Sequence, residues 1–269
     1  MPSSHESTSQ PLSPATIRRV TLLRPLHWLR LGWQDMWQIG WPSILHGVLL
    51  AAFGLCIVSV AAVLWYLLPG AISGFLLIGP ILATGLYVLS QKRERGERAT
   101  WQHVIAAWRC GACNLVGLGL VLALVATLWV LVSAVLIALF LQDSINGFDD
   151  FLRHVVLSEG SNLFPIWAAM GGVVAALVFA ATVVSAPMLL DRDTGLLCAV
   201  ATSFNAVAEN PAPMIVWAGL IMLATLFGLA TLMLGFILVV PIIGHGTWHA
   251  YRDLVDATVL PPRVGVTTP

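Results

Sequence analysis

Five stretches of this chain, 43–68, 71–90, 115–141, 163–190 and 212–251, contain no Asp, Glu, Lys or Arg and are apolar almost throughout. A helix of about 20 such residues matches the hydrocarbon core of a bilayer. At a rise of about 1.5 Å per residue the last stretch is too long for one span, and it reads as two helices folded back near 231–235. The expectation is therefore six spans. The first hairpin is expected to turn at Pro69–Gly70, the second through the loop 142–162, and the third without a proline to mark it.

Composition agrees with this reading. Hydrophobic residues make up 58% of the 269 positions, charged residues 10%, and the mean hydropathy is +0.89. Soluble domains carry about 25% charged residues. The chain cannot solvate the surface of a water-soluble globule, which excludes a soluble enzyme, a disordered scaffold and a nucleic-acid binder. The 13 basic and 13 acidic residues cancel, so no global field selects an acidic partner.

The basic residues fix the orientation. Arg18, Arg19, Arg24 and Arg30 precede the first span, and Lys92, Arg93, Arg95, Arg98 and Arg109 follow the second. Arg192 follows the fourth, and Arg252 and Arg263 follow the sixth. Arg153 alone lies on the other side. The positive-inside rule then places both termini in the cytoplasm. Residues 1–20 read as a disordered cytoplasmic tail, 21–256 as the membrane domain and 257–269 as a second tail. Nothing at the start resembles a cleavable signal peptide.

The fold class expected is an all-α membrane protein whose six transmembrane helices form three hairpins, each preceded by an amphipathic cytoplasmic surface helix. In the first surface helix Leu26, Leu29, Trp33, Met36, Trp37 and Gly40 share a face opposite His27, Arg30, Gln34 and Gln38. In the second, Trp101, Val104, Ile105 and Trp108 align. In the third, Leu197, Val200, Phe204 and Val207 stand opposite Cys198, Thr202, Asn205 and Glu209. The units would be 25–95, 100–194 and 195–254.

Two spans share more than hydropathy. Pro80, Gly85 and Tyr87 match Pro241, Gly246 and Trp248 in spacing, while the fourth span keeps only Pro187-Met-Leu-Leu. Duplication and convergent membrane grammar both produce such a pattern. Ala168, Gly172, Ala176 and Ala180 form a small-residue stripe, expected to seat a helix of the same chain, with a dimer seam as the alternative.

Candidate chemistry centres on histidine. His5, His27, His103 and His154 fall in tails, loops or surface helices. His46, His245 and His249 lie in spans near the cytoplasmic end, and His245, His249 and Arg252 share a helix face. Paired imidazoles bind transition metals or haem, with Asp191 as a further donor. They also serve as interhelical hydrogen-bond partners at an interface. Asp191-Arg192-Asp193 otherwise reads as a helix-end salt bridge, reaching to Arg252, with Asp193 or Thr194 as the next N-cap. Cys110 and Cys113 form a lone C-x-x-C, for which zinc would need two more ligands, Cys198 and His103 being the plausible donors. The outer loop holds Asp143, Asp149, Asp150 and Glu159 against Arg153, with a short helix expected over 148–157. Phosphate-binding, nucleophile-elbow, zinc-protease and dinucleotide motifs are missing from the sequence, and no catalytic residue is expected.

Trp28-Leu-Arg-Leu-Gly-Trp33, Gly74-Phe-Leu-Leu-Ile-Gly-Pro80, Asp191-Arg-Asp193, Asn210-Pro211 and Gly244-His-Gly-Thr-Trp-His-Ala-Tyr-Arg252 run in order along the chain. With them it resembles the bacterial predicted integral membrane proteins grouped as domain of unknown function 2189, from about residue 17 to 256. The resemblance implies a six-span protein of the bacterial inner membrane with no established activity. The Cys110/Cys113 pair is no feature of that family. Some members carry a cytochrome c oxidase subunit-like label, but three histidines in spans are too few for a catalytic oxidase subunit.

Three functions follow as expectations. The first is a non-catalytic subunit, assembly factor or interaction scaffold of a membrane complex, whose partners are the bilayer and another membrane protein. The second is a transporter of lipid or neutral solute. The third is a haem- or metal-binding accessory protein of a respiratory oxidase, resting on His46, His245 and His249.

Overall fold

The structure, a computed structural model, describes residues 15–61, 68–109, 113–140 and 162–263. The outer loop with its acidic residues and expected helix, His5, His154, Cys110 and the Cys113 side chain lie outside the described residues.

The described residues are all-α apart from one two-stranded pairing and an isolated bridge between Arg192 and Pro262. Helix α1 (Arg24–Ile39) leads through Gly40 into α2 (Trp41–Ala61). Gly40 has a φ of 75°, which breaks the helical path while its N–H still donates to the Met36 carbonyl. Next come α3 (Leu68–Leu77), α4 (Gly79–Leu82) and α5 (Thr84–Glu94), then α6 (Trp101–Arg109) and α7 (Cys113–Phe140). The remaining helices are α8 (Leu163–Thr182), α9 (Ser185–Asp191), α10 (Leu196–Glu209), α11 (Pro211–Ala230) and α12 (Phe236–Leu254). Strand β1 (Thr16–Ile17) pairs antiparallel with β2 (Val255–Asp256).

Among the described residues four segments are long and apolar enough to cross a membrane: Trp41–Val60, Asn114–Leu139, Leu163–Asp191 and Pro211–Ala230. The second and sixth spans read from the sequence are not among them. The second is broken at Ile78 and Ala83 around Pro80 into the short helices α3, α4 and α5, none of which is long enough alone. The sixth, α12, is unbroken with Pro241 inside it, and its second half carries His245, His249, Arg252 and Asp253. The first turn also shifts. Pro69 and Gly70 lie in the opening turn of α3, where proline's missing N–H has no partner to lose.

The last turn falls at 231–235, as the length of the run requires. It is built without glycine at its tightest positions: Leu232 and Met233 have φ of 52° and 71°. A non-glycine residue there costs about 1–2 kcal/mol. Burial of Met233 against Ala51 and Phe236 offsets that cost, and the Thr231 hydroxyl accepts from the Gly235 N–H at 2.7 Å.

Tight core packing is concentrated at the charged end. Trp28, Trp217, Trp248, Tyr251, Met188, Leu189 and Leu190 are fully buried there, and every residue of α9 is buried. Helix α12 is the centre of this packing, and α1 crosses it closely. A Cβ on Gly32 would come within 2.2 Å of the Ile242 carbonyl oxygen, and one on Gly246 within 2.8 Å of the Trp217 ring. Away from that end the helices turn large residues outward. On α7 Leu120, Leu124, Leu128, Leu131, Val135 and Leu139 form an exposed stripe at helical spacing.

The same inside-out arrangement holds on two of the surface helices, whose apolar faces look away from the protein. On α1 the buried residues are Pro25, Trp28, Gly32, Asp35 and Met36, while Leu26, Trp33 and Trp37 are exposed. On α10 Ala199, Thr202, Ser203 and Ala206 are buried, while Leu197 and Phe204 face outward. In lipid the large apolar face needs no protein cover, and small residues favour close helix contact. The intramolecular seat read for the stripe of small residues on α8 is corrected. Ala168, Gly172 and Ala176 are exposed, and nothing lies within 4 Å of a Cβ placed on Gly172. Helix α8 instead presents Trp167 and Gly171 to α7, the Trp167 indole N–H donating to the Ser133 hydroxyl at 2.7 Å.

The chain ends close on one another. Beyond the strand pairing, the Arg18 N–H donates to the Leu254 carbonyl at 2.8 Å, and the Asn210 side chain accepts from the Val20 N–H at 2.9 Å. The segment after β2 runs back over α9: the Asp193 N–H donates to the Pro261 carbonyl, and the Arg192 guanidinium to that of Leu260. Residues 16–20 and 257–263, which composition assigns to the tails, are tied into the fold.

Candidate functional site

Helix α5 ends in six consecutive polar residues, Ser90 to Arg95, and five of them reach across to another helix. The exception is Lys92, a buried lysine satisfied by Glu97 at 2.7 Å just beyond the helix end. The helix stops there through a left-handed residue. Gly96, with a φ of 74°, lets its N–H meet the Arg93 carbonyl while the Glu97 N–H meets that of Lys92.

The deepest cluster joins α1, α2, α5 and α12. Asp35 on α1 is fully buried. One of its oxygens accepts from the Ser90 hydroxyl at 2.6 Å and from His249 Nε2–H at 3.1 Å, and the other pairs with the Arg93 guanidinium. Arg93 also donates to Gln38. Ser90 then meets His245 Nδ1 at 2.7 Å, and His245 Nε2 meets the Ser43 hydroxyl at 2.9 Å.

Proton counting fixes this chain. A hydroxyl has one proton. With the Ser90 proton directed at Asp35, its oxygen accepts from His245 Nδ1–H. That leaves Nε2 as the acceptor for the Ser43 hydroxyl. Ser43 and His245 thus have the contact of a nucleophile with its base, but both are fully buried, and the arrangement acts as a clamp across four helices.

The second cluster surrounds Asp191 at the end of α9, 5% exposed. It accepts from the Gln91 amide at 2.8 Å, the Tyr251 hydroxyl at 2.9 Å and Arg192 at 3.0 Å, with Arg95 and Arg252 at 3.7 and 3.8 Å. Glu94 alongside accepts from the Trp248 indole at 2.9 Å and Arg252 at 3.0 Å. Asp191 does approach Arg252, but the N-cap read at Asp193 or Thr194 is corrected. The cap residue of α10 is Gly195, without a side-chain bond. In a third cluster Asp253 accepts two bonds from Arg24 at 2.6 and 3.1 Å and one from the Trp28 indole at 2.7 Å.

The histidines of the sequence reading fall into separate contacts. His245 and His249 join the Asp35 cluster. His46 donates through Nε2 to the Leu82 carbonyl at 2.7 Å and packs edge-on against Trp101, with Trp108 tilted beside it. These residues do not fit a haem or a bare metal. Both ring nitrogens of His245 are engaged, Nε2 of His249 and of His46 carries the donated proton, and only His46 Nδ1 is buried without a partner. Among the described residues no three His, Cys, Asp or Glu side chains gather as metal ligands. The sequence reading passed over Asp35, Ser43, Ser90, Gln91, Arg93 and Tyr251. The available signal was Asp35 itself, an acid directly beside Met36 on the same inward face.

Residues 67–191 match the family model described as Predicted integral membrane protein (DUF2189). The match covers less than half of the chain, and over that stretch the chain is similar to the DUF2189 family. The protein is an integral, multi-pass membrane protein. The DUF2189 segment runs from α3 to α9 and supplies Ser90, Gln91, Arg93, Glu94 and Asp191. Asp35, Ser43, His245, His249 and Tyr251 come from outside it, as do three of the sequence stretches on which the wider resemblance rests: Trp28–Trp33, Asn210–Pro211 and Gly244–Arg252. No curated protein and no solved structure matches the chain.

Proposed function

We propose that this protein is a six-span, non-catalytic member of a bacterial inner-membrane complex, acting as a subunit, assembly factor or interaction scaffold, with its charged end and both termini in the cytoplasm. In this reading α3–α5 and α12 complete the second and sixth spans, and the arginine distribution sets the orientation. The observation that carries the proposal is the contrast at the charged end. Its buried Asp35, Asp191 and His245 are bonded to side chains of neighbouring helices, whereas Trp33, Trp37, Trp41, Trp108, Leu197 and Phe204 stand exposed around them. A group whose bonding capacity is taken up holds helices in place, while exposed indoles suit a headgroup boundary or a partner's helices. The order of surface helix and hairpin, repeated at α1, α6 and α10, supports the three units 25–95, 100–194 and 195–254.

Two experiments test the proposal. In a cysteine-free background, a thiol reagent added outside should label a probe at Gly147 and miss one at Gly96. Labelling of both from one side removes the six-span orientation. A photo-cross-linker at Trp37 or Leu197 in intact membranes should give one adduct of constant mass. Absence of adducts, combined with passage of a lipid or neutral solute in proteoliposomes, would favour the transporter reading. That reading draws support from the broken helix at Ile78–Ala83, since interrupted spans recur in carriers.

A further inference from the structure

A groove of about 400 Å³ opens between α1, α11 and α12. Leu26, Leu29 and Trp33 form one wall, and Ala224, Val239, Ile242 and Ile243 the others. Arg30 is the one charged residue among those that line it. Five other arginines around the charged end have carboxylates: Arg18 has Asp256, Arg24 has Asp253, Arg93 has Asp35, Arg192 has Asp191 and Arg252 has Glu94; Arg19 and Arg98 have none among the described residues, but neither lines the groove. Arg30 has no acidic partner among the described residues. It stands almost three turns before Gly40, where the chain passes into the apolar α2.

We propose that this groove holds one anionic phospholipid, with an acyl chain along the Leu, Val and Ile walls and its phosphate on Arg30. Charge complementarity selects this occupant. A guanidinium beside hydrocarbon needs an anion, its planar donors match phosphate oxygens in pairs, and a lipid brings that anion joined to the apolar chain the walls require. The same groove holds the Trp33 indole, a side chain suited to the headgroup level. A soluble anion would satisfy Arg30 and leave the apolar walls unused. A zwitterionic lipid would fill the walls and present its phosphate with a competing cation. The site is independent of the scaffold proposal, because it requires only this chain and the bilayer.

The test uses the full chain in nanodiscs of mixed phosphatidylglycerol and phosphatidylcholine, with lipid retained after detergent extraction counted by native mass spectrometry. The wild type should keep one phosphatidylglycerol per chain in preference to phosphatidylcholine. Arg30→Gln should reduce that preference about tenfold, the loss expected for a charge-assisted contact, and Arg30→Lys should restore part of it. Ala224→Phe, which narrows the groove and leaves Arg30 in place, should reduce retention of both lipids. Each variant is checked for wild-type thermal unfolding first. Equal retention of the two lipids by the wild type overturns the proposal, as does undiminished preference in a folded Arg30→Gln variant. Should that variant fail to fold, the wild-type competition and Ala224→Phe decide.

Discussion

Thr84 and His245 hold the same place in two similar helical stretches, each four residues after a proline and one before a glycine. Around them the packing corresponds closely. Gly85 makes room for His46 of the preceding α2 and Val104 of the following α6. Gly246 makes room for Trp217 of the preceding α11 and for the backbone of Trp28 in α1. The difference lies in reach. Thr84 donates back to the Ile81 carbonyl and accepts weakly from Trp108 at 3.3 Å. His245 extends two ring nitrogens to Ser43 and Ser90 and so joins α12 to α2 and α5. One side chain thus turns a packing position into the centre of a polar network.

That comparison can be broken most strongly at Asp35. Asp35→Ala leaves Arg93, His249 and Ser90 around an empty position, and removing one partner of a buried ion pair costs about 3–5 kcal/mol. Thermal unfolding in detergent should show the loss, and hydrogen exchange should rise in α12 and in the 90–95 segment while α6 and α7 remain protected. Next, His245→Thr makes α12 resemble its counterpart. Ser43 and Ser90 each lose a partner, at a cost of about 1–3 kcal/mol. Thr84→Ala, the matched change on the other helix, should cost no more than about 1 kcal/mol. An equal cost for the two would remove the distinction.

The glycines sharpen the correspondence. Alanine at Gly246 meets the Trp217 ring at 2.8 Å and the Trp28 carbonyl at 3.2 Å, neither of which can turn aside. Overpacking there should cost about 1–3 kcal/mol. Alanine at Gly85 meets the Val104 methyl and the His46 ring, both at 2.7 Å. His46 is held by Leu82, Trp101 and Trp108 and Val104 is fully buried, so overpacking here should also cost about 1–3 kcal/mol, partly offset by the better helix propensity of alanine. Parallel melting curves of the two variants would rank them.

The smallest effect concerns the strand pairing. Hydrogen bonds from Thr258 and then Arg18 hold the Asp256 carboxyl well below the usual carboxylate range. A depressed acid contributes stability above its unfolded value and loses it as pH falls toward its folded value. Exchange protection of the Thr16 and Arg18 amides should therefore hold through neutral and mildly acidic pH and fall only in strong acid. Asp256→Asn should abolish that dependence.

Much of the architecture is legible in the sequence because chain length against bilayer thickness is a strong constraint. The turn at 231–235 follows from the 212–251 run alone, although the left-handed Leu232 and Met233 carry no local signature. Helix faces are less legible. The usual rule that large apolar residues point inward fails on α1 and α10, where the surrounding medium is lipid and the inward face is chosen by small residues and by Asp35. The candidate site was half visible. His245 and His249 stood out by residue type, but Ser43, Ser90 and Asp35 are ordinary residues made significant by contacts between α1, α5 and α12. Asp191 was noticed as a helix end, yet its partners Gln91 and Tyr251 lie 100 and 60 residues away in the chain.

The contact between α1 and α12 sets a timetable for biogenesis. The Trp28 indole waits for Asp253, 225 residues later, and at about 5–20 residues per second that interval lasts on the order of 10–45 s. Throughout it the first helix has left the ribosome with Asp35 and Gly32 uncovered and no final seat. The last helix to be made is the one that closes the structure, so a chain truncated anywhere before α12 loses the contacts that hold its beginning.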